Sequence, residues 1–62
     1  MRQWLIDLRV KKDLTQSEVA KQAEIARSTY AMIESGDRNA SVTVAKKISQ
    51  ALDFDWIIFF ED

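Results

Sequence analysis

The chain contains no cysteine, no histidine and no proline, and it has one glycine among 62 residues. Without cysteine there is no disulfide framework. Without histidine as well, the usual zinc ligand sets are gone, and neither a thiol nor an imidazole remains for catalysis. Serine, threonine and carboxylates are present, but they form no evident base or metal cluster, so an enzyme has almost nothing behind it and no cofactor is expected. The lack of proline lets several helices run unbroken and takes support from a β-rich fold. No apolar run approaches the ~20 residues that cross a bilayer; the longest is Trp56 to Phe60. Asp7, Arg9, Lys11 and Lys12 break up the N-terminus, so no secretory signal is visible. The absence of cysteine suits a reducing cytoplasm.

Acidity is confined to one end. The formal charge is −1 and the isoelectric point about 5.3, values that taken whole argue against a nucleic-acid partner. Residues 1–52, however, hold all nine lysines and arginines against six acids, a balance of +3. Residues 53–62 hold Asp53, Asp55, Glu61 and Asp62 and no base, a balance of −4. Two ordinary solvated surfaces are equally compatible with this division. At 47% hydrophobic, the sequence can build one small domain with a modest core.

Helix signals punctuate the chain. Arg2 to Lys12 reads as a first helix, with Trp4, Leu5 and Leu8 at helical spacing. Trp4 is assigned to the core or its edge. Thr15 and Glu18 have the spacing of a capping box, and Leu14 with Val19 that of a hydrophobic staple, so a second helix starts at Gln16. After the short stretch Glu24-Ile25-Ala26, a third pattern runs from Arg27 to Ser35 and stops at Gly36, the lone glycine. Tyr30 and Ile33 point inward from it; Arg27, Ser28, Ala31, Met32 and Ser35 point outward. Ser41 caps a fourth helix, Val42 to about Ala51, and Asp55 a last one, Trp56 to Phe60. Trp56, Phe59 and Phe60 share one side of that last helix and close the core. The expected architecture is all-α: five short helices in a single domain over residues 1–62, with a helix-turn-helix unit at about 16–35.

Leu14-Thr15-Gln16-Ser17-Glu18-Val19-Ala20, Arg27-Ser28-Thr29 and Ile33-Glu34-Ser35-Gly36 resemble, in register, the motifs of the Xre/Cro and lambdoid phage repressor helix-turn-helix family. The likeness continues through Arg38-Asn39, Ser41 and Ala51-Leu52 and covers nearly the whole chain. It implies a lambda-repressor-like domain binding double-stranded DNA, with no membrane role, in the cytoplasm of a bacterial or phage-infected cell. It also implies a pair between Arg9 and Glu34, and Glu34 follows the inward Ile33, where a carboxylate is desolvated and needs a partner.

Four positions depart from the family, one of them Asp53, which stands where glycine is frequent. Glu24 stands where glycine usually takes a left-handed conformation, at a cost of about 1 kcal/mol. Ala26 replaces the usual serine cap of the recognition helix, a loss of about 1 kcal/mol. Met32 replaces a frequent glutamine. An outward Met32 suits a thymine methyl or a sugar; the competing assignment is core filler.

On this reading, Arg27, Ser28 and Met32 are the base-contacting candidates. Gln16, Ser17 and Ser35, with Arg38 and Asn39 of the following loop, are the phosphate-contacting candidates. A core takes only one side of Trp56–Phe60, so Ile57 and Ile58 are the candidate dimer contacts, and a homodimer would recognise a palindromic operator. A repressor acting by operator occupancy is the leading function. A protein-binding module on the same fold, an antitoxin or antirepressor, is the alternative, favoured by the acidic, apolar C-terminal end and the nearly uncharged recognition helix.

Overall fold

The computed structural model describes residues 1–61. Its elements are α1 (Gln3–Lys11), α2 (Gln16–Gln22), α3 (Arg27–Ser35), α4 (Val42–Leu52) and a closing 3-10 helix (Trp56–Phe60). There is no strand among the described residues.

The start of α2 is set by local chemistry. The Glu18 N–H donates to Thr15 Oγ1 at 3.1 Å, and the Thr15 N–H donates to Glu18 Oε1 at 2.8 Å, so both halves of the capping box are made. Those bonds, the backbone donor of Thr15 foremost, hold the Glu18 carboxyl below its ordinary value. Ser41 caps α4 in the same manner, accepting from the Val44 N–H at 3.2 Å. Ala26 makes no side-chain cap, so the first N–H groups of α3 have no N-cap side chain to serve them.

Each α-helix is stopped by a residue with positive φ: Asp13, Glu24, Gly36 and Asp53 in order. Three of these are not glycine. At Glu24 the Ile25 N–H donates to the Ala20 carbonyl at 3.0 Å and the Glu24 N–H to that of Lys21 at 3.2 Å, the paired bonds of a Schellman ending. The same pair recurs at Asp13, from Leu14 to Arg9 at 3.2 Å and from Asp13 to Val10 at 2.9 Å. The strain at Asp13 carries no signal in the sequence, since aspartate there is an ordinary loop residue.

The core gathers Leu5 from α1, Val19, Ala20 and the adjoining Ala23 from α2, Tyr30 and Ile33 from α3, Ala45, Ile48 and Leu52 from α4, and Phe59. α2 packs on both α3 and α4, α1 on α3, and the closing helix on α4. Ala20 is nearly fully buried, as a small residue must be where two helices approach closely. Trp4 lies at the core's edge, edge-on to Phe54 and Phe59 with ring centroids 5.5 and 5.1 Å away.

The expected fifth α-helix is instead the 3-10 helix, and this changes what its face buries. Asp55 Oδ1 accepts from the Ile57 N–H at 3.1 Å, and the Ile58 N–H returns to the Asp55 carbonyl at 3.2 Å, a tightened i→i+3 start. With ~3.0 residues per turn, positions three apart eclipse. Trp56 and Phe59 therefore share the inner side, while Phe60 falls into line with Ile57. Phe59 is buried, but Phe60 is 44% exposed, so the expectation that Phe60 closes the core is corrected.

Candidate nucleic-acid interface

The base-contacting candidates lie along the outer side of α3. Arg27 and Ser28 occupy its first two positions and are exposed. Met32 comes one turn later at 38% exposure and is absent from the core cluster, so it is not core filler. Tyr30 and Ile33, on the opposite side, are buried.

Gln16 opens α2 and is half-buried; Ser17 after it is exposed. Gln16 Nε2 donates to Glu34 Oε1 at 3.0 Å, which joins the start of α2 to α3. Glu34 itself is 3% exposed and receives Arg9 Nε on Oε2 at 2.7 Å. Arg9 Nη2 approaches Oε1 at 3.4 Å, and Nη1 donates to the Leu14 carbonyl at 2.9 Å. One guanidinium thus ties α1 to α3 and to the entry of α2. Burial pushes the Glu34 carboxyl up, but the hydrogen bonds from Arg9 and Gln16, with the Tyr30 hydroxyl close by, outweigh it and hold the group below its ordinary value. The bond to Glu34 raises the Arg9 guanidinium further above its already high value. The Tyr30 hydroxyl is buried beside this carboxylate without a hydrogen bond of ordinary geometry. Desolvation first, then the neighbouring Glu34 charge, pushes its pKa far up, so it stays neutral.

Ser35 ends α3 on the exposed side, but its hydroxyl lies 3.0 Å from both the Met32 carbonyl and Asp37 Oδ2. Its single proton is therefore committed within its own turn. Arg38 and Asn39 are exposed on the loop between α3 and α4. They share a cleft of about 150 Å³ with Thr29 and with Ser41, the cap of α4. Asn39 is not free: Arg2 Nη2 donates to its Oδ1 at 2.6 Å. Arg2 is the residue that sequence reading passed over. It sits outside every recognised motif, and its partners lie 31 to 37 residues away.

Ile57 and Ile58, at 50% and 37% exposure, lie outside the core with Phe60. Among the described residues no His/Cys/Asp/Glu cluster is arranged to hold a metal ion, and no helix is long and apolar enough to cross a membrane.

Comparison with known proteins gives this geometry its family. The uncharacterized HTH-type transcriptional regulator YqaF of Bacillus subtilis (strain 168) is 58% identical over 62 residues, spanning 100% of this chain and 82% of that protein. Control protein C.MunI of a Mycoplasma species is 38% identical over 52 residues, 84% of this chain and 70% of its own length. Among solved structures, the N-terminal DNA binding domain of SinR from Bacillus subtilis superposes with a TM-score of 0.85 at 28% identity, covering 97% of this chain and 88% of that one. The helix-turn-helix family matches residues 5–58, and the chain belongs to that family, in its Xre/Cro-like branch of transcriptional regulators.

Proposed function

We propose that this protein is a sequence-specific, double-stranded-DNA-binding transcriptional regulator that represses by occupying its operator. The observation that carries the reading is the outer side of α3: Arg27, Ser28 and Met32 stand exposed on a helix locked from behind by Tyr30, Ile33 and the Glu34–Arg9 pair. In the family's mode of docking, the start of such a helix meets base edges in the major groove. Arg27 reads a guanine by its planar fork, Ser28 an adjacent base edge or phosphate, and Met32 a thymine methyl. Gln16, Ser17, Arg38 and Asn39 hold the backbone, where free N–H groups at the start of α2 also favour phosphate. Ser35 joins them only by giving up its local hydrogen bonds.

The same reading makes the whole described chain one DNA-binding domain that works in the cytoplasm as a homodimer. Ile57 and Ile58, joined by Phe60, form the dimer contact, and two α3 helices then lie about 34 Å apart, one turn of DNA. A relative that carries the name of a transcriptional regulator and a solved domain that carries the name of a DNA-binding domain support the DNA-binding part of this reading.

Selection of bound duplexes from a random pool is the test. Enrichment of a palindrome is expected. The second reading, a protein-binding module, draws on the exposed Ile57, Ile58 and Phe60 beside Asp53, Asp55 and Glu61. It takes over if no duplex is enriched at low salt.

A further inference from the structure

Arg2 serves the end of the recognition helix from the far end of the chain. Its backbone N–H donates to the Glu34 carbonyl at 2.7 Å. Its Nη1 donates to the carbonyls of Ile33 and of Arg38, the latter at 3.2 Å, and its Nη2 to Asn39 Oδ1 at 2.6 Å. The Ile33 and Glu34 carbonyls lie in the last turn of α3, beyond the reach of the regular i+4 ladder, where a cation is also favoured by the helix dipole, and the Arg38 carbonyl lies in the loop that follows. The guanidinium carbon stands 5.7 Å from the Phe59 ring centroid, so the group is held from behind as well.

The consequence falls on Asn39. A guanidinium has only donors, so the amide atom that faces it must be the oxygen. The Asn39 Nδ2 is thereby turned away from Arg2, with its two N–H groups left to the exposed side of the loop. We infer that Arg2 is a positioning residue for DNA: by fixing the Asn39 amide, it presents Nδ2 as a preset donor to a backbone phosphate. Its own charge is spent on the carbonyls of α3 and the loop, and it makes no phosphate contact itself. Lysine cannot replace it, because one ammonium does not span three acceptors in a planar fork. This inference rests on the DNA-binding reading.

The test uses the full chain, its selected duplex and four variants: Arg2→Lys, Arg2→Met, Asn39→Ala and the double change Arg2→Lys with Asn39→Ala. Circular dichroism establishes folding, and all titrations run well below each midpoint. Asn39→Ala is expected to weaken binding about tenfold, the loss of one bond to a charged group. Arg2→Lys should weaken it by the same factor, and the double variant no further. The slope of log affinity against log salt should be unchanged in Arg2→Met. Without DNA, the Asn39 side-chain amide pair in a ¹⁵N correlation spectrum should move toward its random-coil position in Arg2→Lys.

Multiplying losses in the double variant would overturn the proposal, because Arg2 would then act apart from Asn39. A slope lower by about one in Arg2→Met would overturn it too, by making Arg2 a phosphate contact. Lowered melting with unchanged affinity would reduce Arg2 to a structural role. An unmoved amide pair would deny the hydrogen bond, independently of DNA. A wild-type chain that binds no duplex removes the DNA reading and this inference with it, whatever the amide pair does.

Discussion

Arg9 and Glu34 meet at 2.7 Å, Nε to Oε2, with the carboxylate 3% and the guanidinium 17% exposed. The pair joins α1 to α3 across 25 residues of sequence. A desolvated charge left alone is worse than none. Arg9→Met or Glu34→Met should each cost about 3 kcal/mol, and the double replacement should cost less than either. A double-mutant cycle by urea melting measures the coupling. Additive losses would show the two side chains to be independent.

The same carboxylate sets an acid limit on folding. Its value in the fold lies below the ordinary 4.5, so the unfolded chain takes up the proton first as pH falls. The stabilisation is fully present above about 4.5 and is lost as pH drops through the depressed folded value. Glu18 acts in the same direction. Stability measured from pH 7 to pH 2 should fall along this limb, and Glu34→Gln should flatten it while lowering the plateau. An unchanged limb in Glu34→Gln would place the titration elsewhere.

Glu24 holds φ at 60° at the end of α2. Glu24→Gly should raise stability by a few tenths to about 1 kcal/mol through relief of that strain. The carboxylate does have a partner, Lys47 Nζ at 3.4 Å, but both side chains are well exposed and such a pair contributes little. Urea midpoints decide the balance. A lower midpoint in the glycine variant would mean that the Lys47 contact outweighs the strain.

Arg27→Ala should weaken binding to the selected duplex by about 1–3 kcal/mol, the range for a bidentate guanine contact. Its effect on a random duplex should be much smaller. Equal losses on both would make Arg27 a phosphate contact.

If the proposed dimer forms through them, Ile57→Asp with Ile58→Asp should abolish it and reduce affinity for a palindrome, while half-site affinity persists. Sedimentation and parallel titrations read this. Both isoleucines are exposed, so the fold should survive the change. Unchanged mass and unchanged binding would remove these residues from any interface.

The sequence by itself determined whatever a few neighbouring residues can decide. Thr15 and Glu18 make a capping box from three positions apart, so the start of α2 was legible. Gly36 takes positive φ without a Cβ clash, and α3 ends there; α2 and α3 together span residues 16–35. The outward side of α3 followed from helical periodicity, and the family from motifs held in register. Tertiary structure decided the rest. The five residues after Asp55 carry no local signal that separates an α-helix from a 3-10 helix, and the i→i+3 form that eclipses Trp56 with Phe59 turned Phe60 outward. Gln16 found Glu34 only when α2 crossed α3. Arg2 was read only as the start of the first helix, because nothing within a helical turn of it hints at the carbonyls of Ile33 and Arg38 or the amide of Asn39. Those acceptors converge through chain closure, and a local pattern carries no information about it.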